Sequence, residues 1–384
     1  MMPTPPTPGP EVLAQAAEVE THLRQILETA GGWLGFDAFM HEALYAPGLG
    51  YYAAGSRKLA APTDAAGSSD FITAPELSPW FGHTLAGPVA DILHASGSPE
   101  VLEIGAGTGA LAASLIPALR TAGLEVRYAI LEVSADLRQR QQERLAGLGA
   151  NIEWRDTLPD DFAGCVVANE VLDAMPVRLF RWSPEGTVLE RGVAWHDGWQ
   201  WQDRPADAGF AAQVRERMPP LPGYVSEINL QAEGWIQGLG RWLRRGGALF
   251  IDYGFPRHEY YHPQRLAGTL MCHFRHTAND NPLWLPGVQD ITAHVDFTAM
   301  ADAALAGSLE VLGYTSQAAF LLDAGLLQHL DAWRAQAPAD YLRELDRVQK
   351  LVSEAEMGEL FKVLAVGRGI DTPRGFGRDR SHTL

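Results

Sequence analysis

The stretch Val101 to Leu111, VLEIGAGTGAL, constrains the fold of this chain more than any other. Glycines at alternate positions, Gly105, Gly107 and Gly109, follow a short apolar run and open a segment rich in Ala and Leu. A strand that turns through glycines into a helix starts a parallel α/β unit, because glycine permits φ > 0 and lets a ligand approach the backbone. The flanking pattern agrees. Strand 99–104 enters the loop and a helix leaves it over 109–121. VRYAILEV reads as a strand ending at Glu132, and SADLRQRQQERLAGL as a helix capped by Ser134. NIEWRD, the run 165–169 and the run 248–252 supply further strands, and FKVLAVGRG the last. Strands alternating with helices predict a Rossmann-like, doubly wound, mostly parallel sheet.

Around this α/β domain, taken as 98–176 and 230–370, the pattern changes. Residues 1–10 read as a Pro-rich disordered tail, 11–97 as a helical N-terminal extension or lid, and 371–384 as a flexible tail. The segment 58–70 is small, polar and loop-like. Residues 177–229 read as an inserted antiparallel β subdomain whose strands join through SPEG and HDG. A helix over 231–245 ends on RRGG, cations followed by glycine. The insertion carries Trp182, Trp195, Trp199 and Trp201, a packing cluster or a surface for a partner or a homodimer.

Charge narrows the function. Against 30 Lys and Arg stand 47 Asp and Glu, a formal charge of −17. That makes the chain a poor candidate for nonspecific nucleic-acid binding and suits a cationic partner, or serves solubility alone. The only cysteines, Cys165 and Cys272, form no framework, so a reducing compartment is expected. No apolar run reaches the roughly 18 residues of a membrane span. The opening MMPTPPTPGPE has no basic or apolar signal region, and the bacterial cytoplasm is the expected location.

Three ligand classes use such a glycine turn. A phosphate loop needs Gly-Lys-Ser/Thr, which is absent. A dinucleotide fingerprint fits Gly105, Gly107 and Ala110 only loosely. S-adenosylmethionine fits the charge best. Glu103 would repel a pyrophosphate but can attract the α-ammonium of the methionine end. Glu132, at the end of the second strand, can accept both ribose hydroxyls, as an acid does in dinucleotide folds too. Asp156 in RDTL can meet the adenine amino group, or be an ordinary loop acid.

These residues carry a resemblance. EIGAGTG, LEVS and NEVLDAMP, with FITAPELSPWFG, IDYG, GTL and DITAHVDFT, resemble the MidA-like family of class I S-adenosylmethionine-dependent methyltransferases. That family includes the mitochondrial complex I assembly factor that methylates an arginine. Where the family often has Pro-Gly-Arg within the loop, this chain has Ala-Gly-Thr. The resemblance implies a methyltransferase with S-adenosyl-L-methionine as cofactor and an arginine of a protein partner, a complex I subunit, as acceptor. It implies a cofactor-binding set of Glu76, Glu103, Gly105, Gly107, Thr108, Gly109, Glu132, Val133, Asp156, Thr157 and Asn169. A small-molecule methyltransferase and an assembly factor without turnover are the alternatives.

Carboxylates can orient a guanidinium that never loses its charge. Glu170, Asp173 and Asp252, near the carboxyl ends of strands, are the catalytic candidates. Asp173 can instead cap a helix, and Asp252 hold a turn. His294 and Asp296 pair as base and orienter, or cap the helix after Phe297. Cys272, His273 and His276 are too few ligands for zinc. Gly107→Val is expected to destroy donor binding.

Overall fold

The structure, a computed structural model, describes residues 5–53 and 72–384. The expected loop 58–70 and the first four residues of the expected tail lie outside them. The chain divides into two compact units.

The larger unit spans Ile72–Leu172, Glu233–Pro256 and Val295–Leu384. Its sheet is built from β1 (Glu100–Ile104), β2 (Arg127–Leu131), β3 (Asn151–Arg155), β4 (Phe162–Asn169), β5 (Leu243–Phe255), β6 (Glu310–Ser316) and β7 (Phe361–Arg368). The order across the sheet is β6-β7-β5-β4-β1-β2-β3, and Val295–Asp296 adds a short strand beside β5. Six of the seven run in one direction and β7 runs against them, pairing antiparallel with β5 and β6. Central strands are apolar throughout because helices cover both faces: Cys165, Val166, Val167 and Ala168 in β4 are all buried. The chain leaves β1 towards β2 and β3, then returns to place β4 on the other side of β1. The order therefore reverses between β1 and β4, and the crevice beyond their carboxyl ends is where doubly wound sheets bind ligands.

Two expectations are corrected here. The helix expected over 231–245 stops at Trp242, and β5 starts at Leu243 rather than at 248. The RRGG stretch is drawn into the sheet, with Gly246 and Gly247 opposite Gly164 and Cys165. The C-terminal segment 371–384 is not a loose tail. Phe376 is buried with its ring 5.2 Å from Phe320, and Arg374 and Arg378 pair with Asp91 and Asp323. Backbone and side chains of this segment bond along β6. Thr372 Oγ1 donates to Leu312 O, Thr315 Oγ1 to Arg378 O, Tyr314 N to Asp379 Oδ1, and Arg380 N to Tyr314 O.

The second unit takes the described residues of Met1–Phe71 with Asp173–Ala232 and Arg257–His294. The insertion is therefore not a subdomain of its own, and the N-terminal extension is shared between the units. The expected strands appear as Arg178–Trp182, Val188–Trp195 and Trp199–Pro205, joined by Val225–Ile228 and by Leu34–Gly35 from the N-terminal region. Helices Pro10–Thr29 and Phe36–Tyr45 supply Leu23, Leu27, Phe36, Phe39 and Met40 to a core shared with Leu179 and Val193. A three-stranded sheet of Met271–Phe274, Thr277–Asn279 and Asp290–Thr292 belongs to the same unit. The tryptophans mostly pack: Trp182 is fully buried, Trp199 lies 5.2 Å from Trp195 and 5.3 Å from Phe39, and Trp201 is 37% exposed.

Candidate active site

The loop after β1 holds Gly105, Gly107 and Gly109 at φ of 68, 53 and 84°. Two of these glycines answer different demands. A Cβ on Gly105 would lie 2.7 Å from Val171 Cγ2, so this glycine lets the turn after β4 press against the loop. A Cβ on Gly107 would meet no atom within 4 Å, so this glycine presents an open backbone face.

Glu103, just before the loop, is 3% exposed and accepts a hydrogen bond from Tyr128 Oη at 2.7 Å. Burial pushes its carboxyl up to about 7; the Glu132 charge adds to that and the Tyr128 bond opposes it. An acid with a raised folded-state pKa contributes stability in its protonated form. That contribution is complete below about 4.5 and is lost as pH rises through about 7. The shift corresponds to about 3 kcal/mol. Glu103→Gln, which can still accept from Tyr128, is expected to remove this slope. Denaturant unfolding at pH 5 and pH 8 (about the ends of that window) checks it. A slope unchanged in the variant contradicts the assignment.

Glu132 follows β2 and is 7% exposed. Its Oε1 accepts from Ser134 N at 2.8 Å and its Oε2 from Gln141 Nε2 at 3.0 Å. The backbone of Val133 bonds to the same carboxylate, so of about four acceptor positions about one remains. Burial raises this carboxyl, against the hydrogen bonds from Ser134 and Gln141 and the charge of Arg138. Ser134 caps the helix Ala135–Leu145 by accepting from Leu137 N, as the sequence predicts. Beside Glu132, Val133 is 80% exposed at the rim of an open depression lined by Ala135, Arg138, Gln139, Gln142 and Asp156. Asp156 pairs with Arg138, which also donates to Glu132 O at 2.7 Å, and Thr157 is exposed next to it.

Glu76 lies on the helical turn Ala74–Leu77. Its carboxylate grips Arg144 Nη1 at 2.8 Å and Nη2 at 3.1 Å, and accepts from the Thr108 hydroxyl. Burial opposes ionisation, but Arg144 and Thr108 together hold the carboxyl below its ordinary value. Glu76 is thus anchored to the glycine loop by its neighbours.

At the end of β4, Glu170 adopts φ 54°, rare for a residue with a side chain. The conformation is held by Glu170 N donating to Ile251 O at 2.8 Å. Glu170 Oε1 accepts from Asn169 Nδ2 at 2.9 Å and from Ala74 N at 3.3 Å. Asp252 is 1% exposed. Its Oδ2 accepts from Val171 N and Leu172 N at 3.2 and 3.0 Å, and its Oδ1 from Tyr253 N at 2.9 Å. Asp252 thus holds the turn after β4 through its backbone N–H groups. Asp173 belongs to the other unit, where its carbonyl accepts from Ala293 N and its charge helps push the Tyr45 hydroxyl up, after burial and Asp290. It caps no helix, because strand Arg178–Trp182 comes next. Asp296 caps helix Phe297–Ala306 by accepting from Ala299 N.

The structure therefore brings Glu76, Glu103, the glycine loop, Glu132, Asp156, Asn169, Glu170 and Asp252 into one unit. Sequence reasoning missed Gln141 and Arg144. The available signal was a buried-face position: Gln141 stands four residues before Leu145, and these two are the buried residues of their helix.

Residues 84–315 match the family of S-adenosyl-L-methionine-dependent methyltransferases. The chain belongs to that family. A crystal structure from Burkholderia thailandensis, described as an expected methyl transferase and bound to S-adenosyl-homocysteine, is 49% identical to this methyltransferase. The two superpose with a TM-score of 0.92 over 99% of this chain and 100% of that one. The mitochondrial protein arginine methyltransferase NDUFAF7 homolog of Drosophila melanogaster is 27% identical, over 95% of this chain and 89% of that protein. Mitochondrial protein arginine methyltransferase NDUFAF7 of Mus musculus is 26% identical, over 92% and 86%. The cofactor of this methyltransferase is S-adenosyl-L-methionine, and the dinucleotide alternative falls. Among the described residues no helix is long and apolar enough to cross a membrane.

Proposed function

We propose that this methyltransferase acts on an arginine of a partner protein, a subunit of respiratory complex I during its assembly. The names of the relatives similar along most of the chain support the acceptor class. The formal charge of −17 suits a cationic acceptor. Two buried free cysteines fit the reducing bacterial cytoplasm.

When bound, S-adenosyl-L-methionine supplies a methyl group on a sulfonium centre. The protein's work is then alignment and proton handling. Glu132 would offer its carboxylate to the ribose hydroxyls. Val133 and Asp156, which line the depression beside Glu132, would hold the adenine, with Thr157 next to them. The open face at Gly107 receives the methionine end, and Thr108 and Gly109 hold the loop, with Glu76 bracing it from outside. Glu103 sits beneath as a buried acid. Glu170, with Asn169 beside it, accepts hydrogen bonds from the acceptor guanidinium and takes up its proton as the methylated nitrogen forms. Asp252 positions this turn.

The observation that carries the reading is Glu170, a carboxylate held at positive φ beyond β4 and next to the reversal point of the sheet. Glu170→Gln keeps an oxygen for Asn169 and Ala74. It is expected to bind S-adenosyl-homocysteine normally and to transfer methyl about 100-fold more slowly. Mass spectrometry of arginine-bearing complex I subunits incubated with enzyme and donor reads the product. Methylation on another residue type, or undiminished transfer by Glu170→Gln, overturns the reading.

A further inference from the structure

We propose that Gln141 is a positioning residue that sets the spacing between the two ends of the cofactor site. Gln141 is fully buried in the middle of helix Ala135–Leu145. One proton of its Nε2 goes to Gly107 O at 2.8 Å, and the other to Glu132 Oε2 at 3.0 Å. Its Oε1 accepts from Trp154 Nε1 on β3 at 3.0 Å. Both donors are therefore used, and the amide orientation is fixed by the indole, which can only donate.

The consequence follows from which groups are joined. Gly107 presents the open face of the loop after β1, and Glu132 stands after β2. The two strands are adjacent and parallel, but their ladder ends at the pair Ile104 and Leu131, short of the loop and of Glu132. Three left-handed glycines give the loop more freedom than any other residues would. A single buried amide spans the gap and bonds to both sides. It occupies only one acceptor position on Glu132. One helical turn on, Arg144 donates to Thr108 O at 3.4 Å, so the same helix face holds two successive loop carbonyls.

The inference rests on the reading of Glu132 and the glycine loop as the groups that hold the ribose and methionine ends. An S-adenosyl ligand touches both; adenosine reaches only the Glu132 side. Gln141 contributes preorganisation to a ligand that must engage both ends at once. Its loss should therefore weaken S-adenosyl-homocysteine more than adenosine, whereas a general loosening of the fold weakens the two alike.

The test is calorimetric titration of the full chain with S-adenosyl-homocysteine and with adenosine, for the wild type, Gln141→Leu, Gln141→Glu and Glu132→Gln. If Gln141→Leu fails to fold, Gln141→Glu, which keeps an acceptor for Trp154, carries the test. The ratio of the two affinities is expected to fall about tenfold in the folded Gln141 variants. In turnover, KM for the donor should rise with kcat little changed. A folded Gln141 variant with the wild-type ratio overturns the inference while leaving the site reading intact. Glu132→Gln binding both ligands as the wild type does overturns the site reading, and this inference with it.

Discussion

Gly105→Val is expected to abolish S-adenosyl-homocysteine binding. At Gly105 φ is 68°, which a β-branched residue adopts only under strain, of order 1–3 kcal/mol. The added Cβ would also sit 2.7 Å from Val171 Cγ2. Val171 cannot easily retreat, because its backbone N–H is held by Asp252 Oδ2 at 3.2 Å. Overpacking of this kind costs a further 1–3 kcal/mol or so. Together they come to about 2–6 kcal/mol, a range centred above the roughly 2.7 kcal/mol that is 100-fold in affinity. Titration with S-adenosyl-homocysteine, alongside thermal melting, reads both consequences. Gly107→Ala is the informative companion. Its Cβ meets no protein atom within 4 Å, so the fold should survive with modest backbone strain. Any loss of binding then reports the space reserved for the ligand. The expectation for Gly107→Val thus becomes specific: a folded protein that no longer takes the donor. Gly105→Val binding within about twofold of the wild type would remove the loop from the site.

Asp252→Ala is expected to have the second largest effect, and to act on catalysis and stability together. One carboxylate serves three backbone N–H groups, those of Val171, Leu172 and Tyr253, in a position 1% exposed. Removing it leaves buried donors without an acceptor, at about 1–3 kcal/mol each, so a loss of about 3–5 kcal/mol is expected. The turn it secures begins at Glu170. With its clamp gone, Glu170 can relax from positive φ and its carboxylate moves away from the acceptor. Denaturant unfolding should show the lost stability, and kcat should fall more than the affinity for S-adenosyl-homocysteine. Asp252→Asn should lie between, since its amide oxygen still accepts but its NH2 faces a donor. A stable Asp252→Ala protein with normal kcat would show that the turn is held elsewhere.

The α/β core was legible because its signals are local. Glycines at 105, 107 and 109 need backbone freedom, the apolar runs of β1, β2 and β4 need burial on both faces, and Ser134 caps its helix in the ordinary way. The family resemblance added the cofactor, which the residues alone left open against a dinucleotide. What was not legible depends on partners distant in sequence. Gln141 is one glutamine in a strongly polar helix, and nothing local says that its amide reaches Gly107 and Trp154. Asp252 reads equally well as catalyst or clamp until the amides of Val171 and Leu172 are placed beside it. RRGG looks like a helix ending because cations and glycine usually mark one, yet pairing with β4 claims it for the sheet. The unit formed by the N-terminal helices, the tryptophan-bearing strands and 257–294 could not be read from composition, since its pieces lie in three separate stretches.

The segment 371–384, rich in glycine and charge, lies along β6. A sheet's outermost strand is its exposed rim, and open backbone groups there invite another chain to pair. Here the last residues occupy that rim from within the same molecule: Asp379 takes the N–H of Tyr314, and Arg380 gives its own N–H to the carbonyl of Tyr314. Phe376 covers the ring of Phe320 at the same time. A chain shortened at Gly369 would leave the outward backbone groups of β6 at Leu312 and Tyr314 without these partners.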